Sequence, residues 1–128
     1  PLLTTVADGY NVSVFAYGPT GSGKTHTMLG EKDTKHRGLV YRAIEDLYKL
    51  QKERAVVVQQ DVALSMFEIY NERLRDLLPN PDGTPNERTV KISLDKRGGV
   101  SLDGLNRLRC DTAQRACGLV AHGLRTRA

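Results

Sequence analysis

The sequence predicts an α/β fold, a central sheet with helices on both faces. Three observations predict it. A glycine-rich stretch, Gly18-Pro19-Thr20-Gly21-Ser22-Gly23-Lys24-Thr25, fits the spacing GxxxxGK[ST]. A β-branched and aromatic run, Val12 to Tyr17, stands directly before it, and a helix-capable run, Lys24 to Leu29, directly after. Further on, amphipathic helical stretches alternate with short apolar runs of strand character.

Strand, glycine turn and helix in that order make a concave nest of backbone N–H groups at a helix N-terminus, which favours a phosphate anion. Gly18, Gly21 and Gly23 let the backbone approach an anion with no Cβ in the way. Lys24 supplies a mobile positive charge for β- and γ-phosphates, and Thr25 a hydroxyl for Mg²⁺. By chance the pattern arises in on the order of one chain in a few hundred of this length, given ordinary glycine usage. Its strand-loop-helix context lowers those odds, so a phosphate-binding loop is the better reading.

The elements follow in chain order. Leu2, Leu3 and Val6 sit at near-helical spacing, and Asp8-Gly9 closes a helix end within 1–11. Val12 to Tyr17 reads as a buried strand, and Lys24 to Leu29 as the helix leaving the loop. The polar run Glu31 to Gly38 reads as an exposed loop. Val40, Ala43, Ile44, Leu47 and Leu50 define an amphipathic helix over 39–53. Ala55 to Val58 and Val62 to Tyr70 read as strand, and Asn71 to Leu78 as a short helix with Leu74, Leu77 and Leu78 inward. Pro79 to Asn86, with three prolines and Asp82-Gly83, is a surface turn. Thr89 to Leu94 and Gly99 to Leu105 pair as a hairpin around a basic tip at Lys96 and Arg97. A last helix spans 111–124, capped by Asp111 or Thr112, with Ala116, Leu119 and Val120 on one face.

Composition narrows the function. The 128 residues are the size of one domain, with 27 % charged residues and no apolar run long enough to span a bilayer. No membrane association is expected. Cys110 and Cys117 lack metal or redox spacing and read as free thiols. The net charge of +4 is uneven: residues 91–128 hold eight Lys/Arg against three Asp/Glu, while residues 1–90 hold eleven against twelve. A basic last third suits an acidic partner surface or nucleic acid. Glu68 and Glu72 straddle a change of element, so they read as ion-paired or solvated acids and not as a catalytic pair. His36 and His122 have no ligand partners nearby in sequence. The few aromatics show no single-strand nucleic-acid platform.

Three stretches carry a family resemblance. Residues 8–28, Asp8-Gly9-Tyr10-Asn11 through Thr27-Met28, look like the ATP-binding stretch of kinesin motor domains. Ala16-Tyr17-Gly18 and Thr27-Met28 are flanks that a generic phosphate loop does not require. Gly38-Leu39-Val40-Tyr41-Arg42-Ala43-Ile44 is similar to the start of that family's next helix, and Ser65 through Leu78 resembles its strand-to-helix segment. They stand in the family's order between residues 8 and 78. The resemblance implies a P-loop NTPase-type three-layer arrangement with only part of the sheet present, residues 1–128 being a partial motor domain. It implies that Gly18, Pro19, Thr20, Gly21, Ser22, Gly23, Lys24 and Thr25 bind ATP with Mg²⁺ at Thr25, and that His26 sits beside the adenine. Lys96 and Arg97 would then help touch tubulin, whose surface is acidic. The implied protein is a cytoplasmic, cytoskeletal ATPase moving on microtubules, dimeric through a coiled coil outside this chain, with no direct nucleic-acid partner. Asp8-Gly9-Tyr10-Asn11 and Val100 through Leu105 lean toward the C-terminal-motor, minus-end-directed group.

Two departures qualify the resemblance. Pro19 stands where most kinesins have Gln, at a variable loop position where phosphate binding should survive. The chain begins at Pro1 and stops at Ala128 before the family's two switch elements, so this piece alone is expected to hydrolyse ATP poorly, if at all. Two alternatives stand beside the motor. One is another P-loop NTPase, such as a small-molecule kinase or a nucleic-acid-dependent ATPase. The other is a non-hydrolysing microtubule-binding remnant.

Overall fold

The computed structural model describes residues 2–19, 21, 23–30 and 38–127; the side chains of Thr25 and His26 lie outside that description. The chain divides into two compact units, Pro1–Gln60 and Asp61–Ala128.

The first unit is helical. α1 spans Leu2–Ala7, α2 Lys24–Leu29 and α3 Leu39–Arg54. α1 stops where expected, with Gly9 at a φ of 99° and its N–H donating to the Val6 carbonyl at 2.9 Å. α1 packs on α3, and polar bonds lock the end of the pair. Arg54 Nη1 donates to Asp8 Oδ1 at 2.6 Å, Gln60 Nε2 to the Ala7 carbonyl at 2.8 Å, and Gln51 Nε2 to the Gln60 carbonyl at 2.6 Å. α2 also packs on α3. Gly38 caps the start of α3 without a side-chain bond, because the Leu29–Gly30 backbone lies where a Cβ would stand.

Two strand expectations fail here. Val12 to Tyr17 makes no strand, and Phe15 and Tyr17 are 88 % and 100 % exposed. β-branched composition suits a strand, but a ladder partner creates one, and no described strand pairs with this run. Val56 to Val58 do not form strand either. The N–H groups of Val57 and Val58 both donate to the Arg54 carbonyl, at 2.9 and 2.8 Å, so α3 ends in a helical turn. The expected loop over 31–37 lies outside the described residues.

The second unit holds β1 (Ala63–Leu64), β2 (Phe67–Tyr70), β3 (Arg73–Asp76), β4 (Lys91–Leu94), β5 (Val100–Asp103), β6 (Leu108–Arg109) and α4 (Ala113–Thr126). Its described strands form three antiparallel pairs: β1 with β6, β2 with β3, and β4 with β5. The single strand expected over 62–70 is therefore two, each with its own partner. The helix expected over 71–78 is a returning strand. Asn71 and Glu72, at φ 49° and 62°, form a two-residue turn, and the register sets Leu74 opposite Ile69. Leu74, Leu77 and Leu78 fit a helical period as well as a strand followed by a bend, and the Asn71 turn decides between them.

The expected hairpin and final helix are both present. Thr112 is the N-cap of α4, its Oγ1 accepting from the Arg115 N–H at 3.1 Å. Leu77, Leu78, Val90, Leu108, Cys110, Ala116, Leu119 and Val120 form the core. Gly123 leaves room for the Met66 sulfur, which a Cβ would strike. Burial pushes the Cys110 thiol up from its ordinary range. Thr112→Ala removes the cap and costs about 0.5–2 kcal/mol. Hydrogen exchange over residues 112–118 should quicken accordingly, while that over β4 and β5 stays unchanged.

Candidate nucleotide-binding loop and basic hairpin

The loop between Tyr17 and α2 is built on backbone. Gly21 and Gly23 take φ of 84° and 91°, where L side chains are strained. At both, the place a Cβ would occupy has no other atom within 4 Å. Conformation, and not crowding, requires glycine there, and both positions are exposed and open to solvent ahead of α2. The Gly23 carbonyl accepts the Thr27 N–H at 2.9 Å, so the helix begins at Lys24. The first N–H groups of a helix have no acceptor within it and remain available to an anion. Lys24 is half-buried at this point, and Pro19 is exposed. Thr20, Ser22 and the side chains of Thr25 and His26 lie outside the described residues. Left-handed glycine backbone, a helix start and one cation thus follow one another from Gly21 to Lys24, groups that suit a phosphate.

The basic tip lies in the second unit, between β4 and β5. Asp95 shapes it. Its Oδ1 accepts the Arg97 N–H at 2.8 Å and the Gly99 N–H at 2.6 Å, and its own N–H donates to the Gly99 carbonyl at 2.8 Å. Gly98, at φ 81°, completes the turn. Gly99 must lack a side chain because the Asp95 carboxylate occupies that space. Lys96 and Arg97 are thereby held outward and exposed. The sequence places Asp95 in this turn with Lys96, Arg97 and Gly98, but sequence reasoning missed its Asx-turn role, although an Asp closely followed by Gly-Gly is a signal for one.

The acids set aside as catalytic are placed as expected. Glu68 accepts from Arg75 across β2 and β3 at 3.2 Å, and Glu72 lies in the turn. Among the described residues no group of three His, Cys, Asp or Glu could hold a metal, and no helix is long and apolar enough to cross a membrane.

A GxxxxGK[ST] stretch running into a helix, in a chain of helices and strands, is the pattern of the P-loop class of folds. Comparison with known proteins narrows the class. The family model for the kinesin motor domain matches residues 1–128, and the chain belongs to that family. It is 37 % identical over its whole length to kinesin-like protein KIN-14E of Oryza sativa subsp. japonica, and 39 % identical over its whole length to kinesin-like protein klp-3 of Caenorhabditis elegans. It spans 11 % and 20 % of those relatives. A solved structure described as a fast kinesin superimposes with a TM-score of 0.88 at 32 % identity, over 98 % of this chain and 35 % of that one. The fold is therefore that of a P-loop NTPase, as expected. The relatives named KIN-14 agree with the lean toward the C-terminal-motor group.

Proposed function

We propose that the protein carrying this chain is an ATP-driven microtubule motor, and that residues 18–26 hold its nucleotide. One observation carries the reading: the stretch Gly18 to Thr25, with left-handed backbone at Gly21 and Gly23 leading into α2 at Lys24, occurs in a chain matched end to end by the kinesin motor domain. Gly18 to Gly23 would wrap the phosphates with backbone N–H groups, and Pro19, which has none, would stand at the rim. Lys24 would neutralise β- and γ-oxygens, and His26 would lie beside the adenine. Thr25 would give its hydroxyl to Mg²⁺. The bound metal ion supplies charge stabilisation to the leaving phosphates. The protein's own contribution is positioning and charge, which dominate phosphoryl transfer.

Lys96 and Arg97 are proposed as part of the contact with tubulin. Their exposure on a rigid turn and the basic last third of the chain suit an acidic surface. The protein is read as cytoskeletal, travelling toward the minus end and dimerising through a coiled coil. The other P-loop NTPase readings are disfavoured by the match over all 128 residues. Phosphate release from the full-length protein, measured with and without microtubules, tests the function. Stimulation that weakens with added salt is expected; turnover indifferent to microtubules would defeat the reading.

A further inference from the structure

The β4–β5 hairpin has little along its length to hold it. Its strands pair only with each other among the described residues, over the four pairs from Lys91↔Asp103 to Leu94↔Val100. Ile92, Leu94 and Val100 on one face are 59 %, 74 % and 67 % exposed. The other face carries its own polar bonds, with Ser93 Oγ 2.7 Å from Ser101 Oγ and donating to Asp103 Oδ2 at 2.9 Å. An isolated two-stranded hairpin is marginal, so its direction must be set at its base.

At that base lies a buried polar cluster. Asp76, 6 % exposed at the end of β3, accepts from three donors. Oδ1 takes the Leu78 N–H at 2.9 Å; Oδ2 takes the Asn86 amide and the Asn106 N–H, both at 2.7 Å. Asn86, ahead of β4, also donates to the carbonyl of Gly104, just past β5, at 2.9 Å. Arg88 Nη2 donates to Asn106 Oδ1 at 2.8 Å, and the Asn106 amide reaches the Pro79 carbonyl and Asn80 Oδ1, each at 3.0 Å. Gly104, at φ 89°, has the Thr89 carbonyl where a Cβ would lie, so the two legs of the hairpin meet closely here. One carboxylate thus ties both legs to the end of β3.

We propose that Asp76 is a positioning residue for microtubule binding, clamping the hairpin base so that Lys96 and Arg97 meet tubulin in one orientation. The inference rests on the reading of that tip as a tubulin contact. At about 3.3 Å per residue the seven residues from Thr89 to Lys96 put the tip roughly 20 Å from the clamp, so a tilt of ~10° displaces it by ~3.5 Å. That is enough to lengthen a contact ion pair substantially. A buried carboxylate accepting three N–H bonds resists such a tilt, because leaving those donors unpaired is costly.

The test uses the full-length protein and microtubule-stimulated ATP turnover, with Asp76→Asn, the pair Lys96→Ala and Arg97→Ala, and all three together. Asn replaces one acceptor oxygen by a donor that faces other donors. Asp76→Asn should raise the half-maximal microtubule concentration about five- to tenfold, as loss of interfacial charge contacts does. Microtubule-free turnover and the KM for ATP should stay within about twofold, a split that general destabilisation would not give. Added to the tip pair, Asp76→Asn should have no further effect. The proposal is overturned if the tip pair weakens binding and Asp76→Asn does not, if the two effects add, or if microtubule-free turnover falls in parallel. A tip pair that leaves binding unchanged defeats the tubulin contact itself, and the proposal with it. Should Asp76→Asn fail to fold, Asn86→Ala keeps both backbone bonds to Asp76 and faces the same criteria at smaller amplitude.

Discussion

Lys24→Ala in the full-length protein should leave a folded molecule that neither holds ATP well nor turns it over. The side chain stands half-buried at the first position of α2, directly after the left-handed glycines Gly21 and Gly23. Truncating one partner of a desolvated charge contact costs about 2–5 kcal/mol, so ATP affinity should fall roughly thirtyfold to several thousandfold. Turnover should fall further, by about 10³ or more, because charge grows on the phosphates as the bond breaks. Lys24 is outside the buried core, so thermal unfolding should not change appreciably. Titration with a fluorescent ATP analogue and a phosphate-release assay measure the two quantities. Wild-type affinity in Lys24→Ala would remove the loop from the nucleotide site.

Leu78→Ala should produce the largest loss of stability in the second unit. Leu78 is 2 % exposed and lies two residues past the end of β3. Its N–H is held by Asp76 and that of Leu77 by the Met66 carbonyl at 2.9 Å, so the backbone has little freedom to close over a void. Removing a buried leucine side chain beyond Cβ costs about 2–5 kcal/mol, the transfer of the lost atoms plus the cavity left behind. That is a large part of the roughly 5–15 kcal/mol that holds a domain together. Hydrogen exchange reads it locally: protection over residues 74–80 and 108–120 should drop by the same free energy, while that of α3 should hold. A loss below about 1 kcal/mol would show that the site repacks and is not the centre of this core.

Helices were more legible than strands. α3 and α4 were visible because five apolar residues at steps of three and four, or a Thr cap with an apolar face, bear directly on a structure whose hydrogen bonds are local. Strands depend on partners that composition does not name. Val12 to Tyr17 has every mark of a strand and no described partner, whereas Arg73 to Asp76, polar at alternate positions, becomes one because Asn71 and Glu72 turn the chain back on β2. The β4–β5 hairpin was legible because glycine and charge mark its tip.

The site divides in the same way. The phosphate loop was readable letter by letter, since each position answers to a backbone or charge requirement. The cluster around Asp76 was not. Asp76, Asn86 and Asn106 lie ten and twenty residues apart, and only the returning strand and the paired legs of the hairpin bring them together. Asp95 lies between, a local signal that charge counting alone passes over.

Movement along microtubules is read most simply in a surface-gliding assay. The full-length protein, fixed to glass, should drive microtubules in one direction when ATP is added, and Lys24→Ala should leave them bound without motion or unbound. Microtubules that stay still over wild-type protein actively hydrolysing ATP would contradict the account, and would mark the chain as part of an ATPase that does not turn its phosphate chemistry into transport.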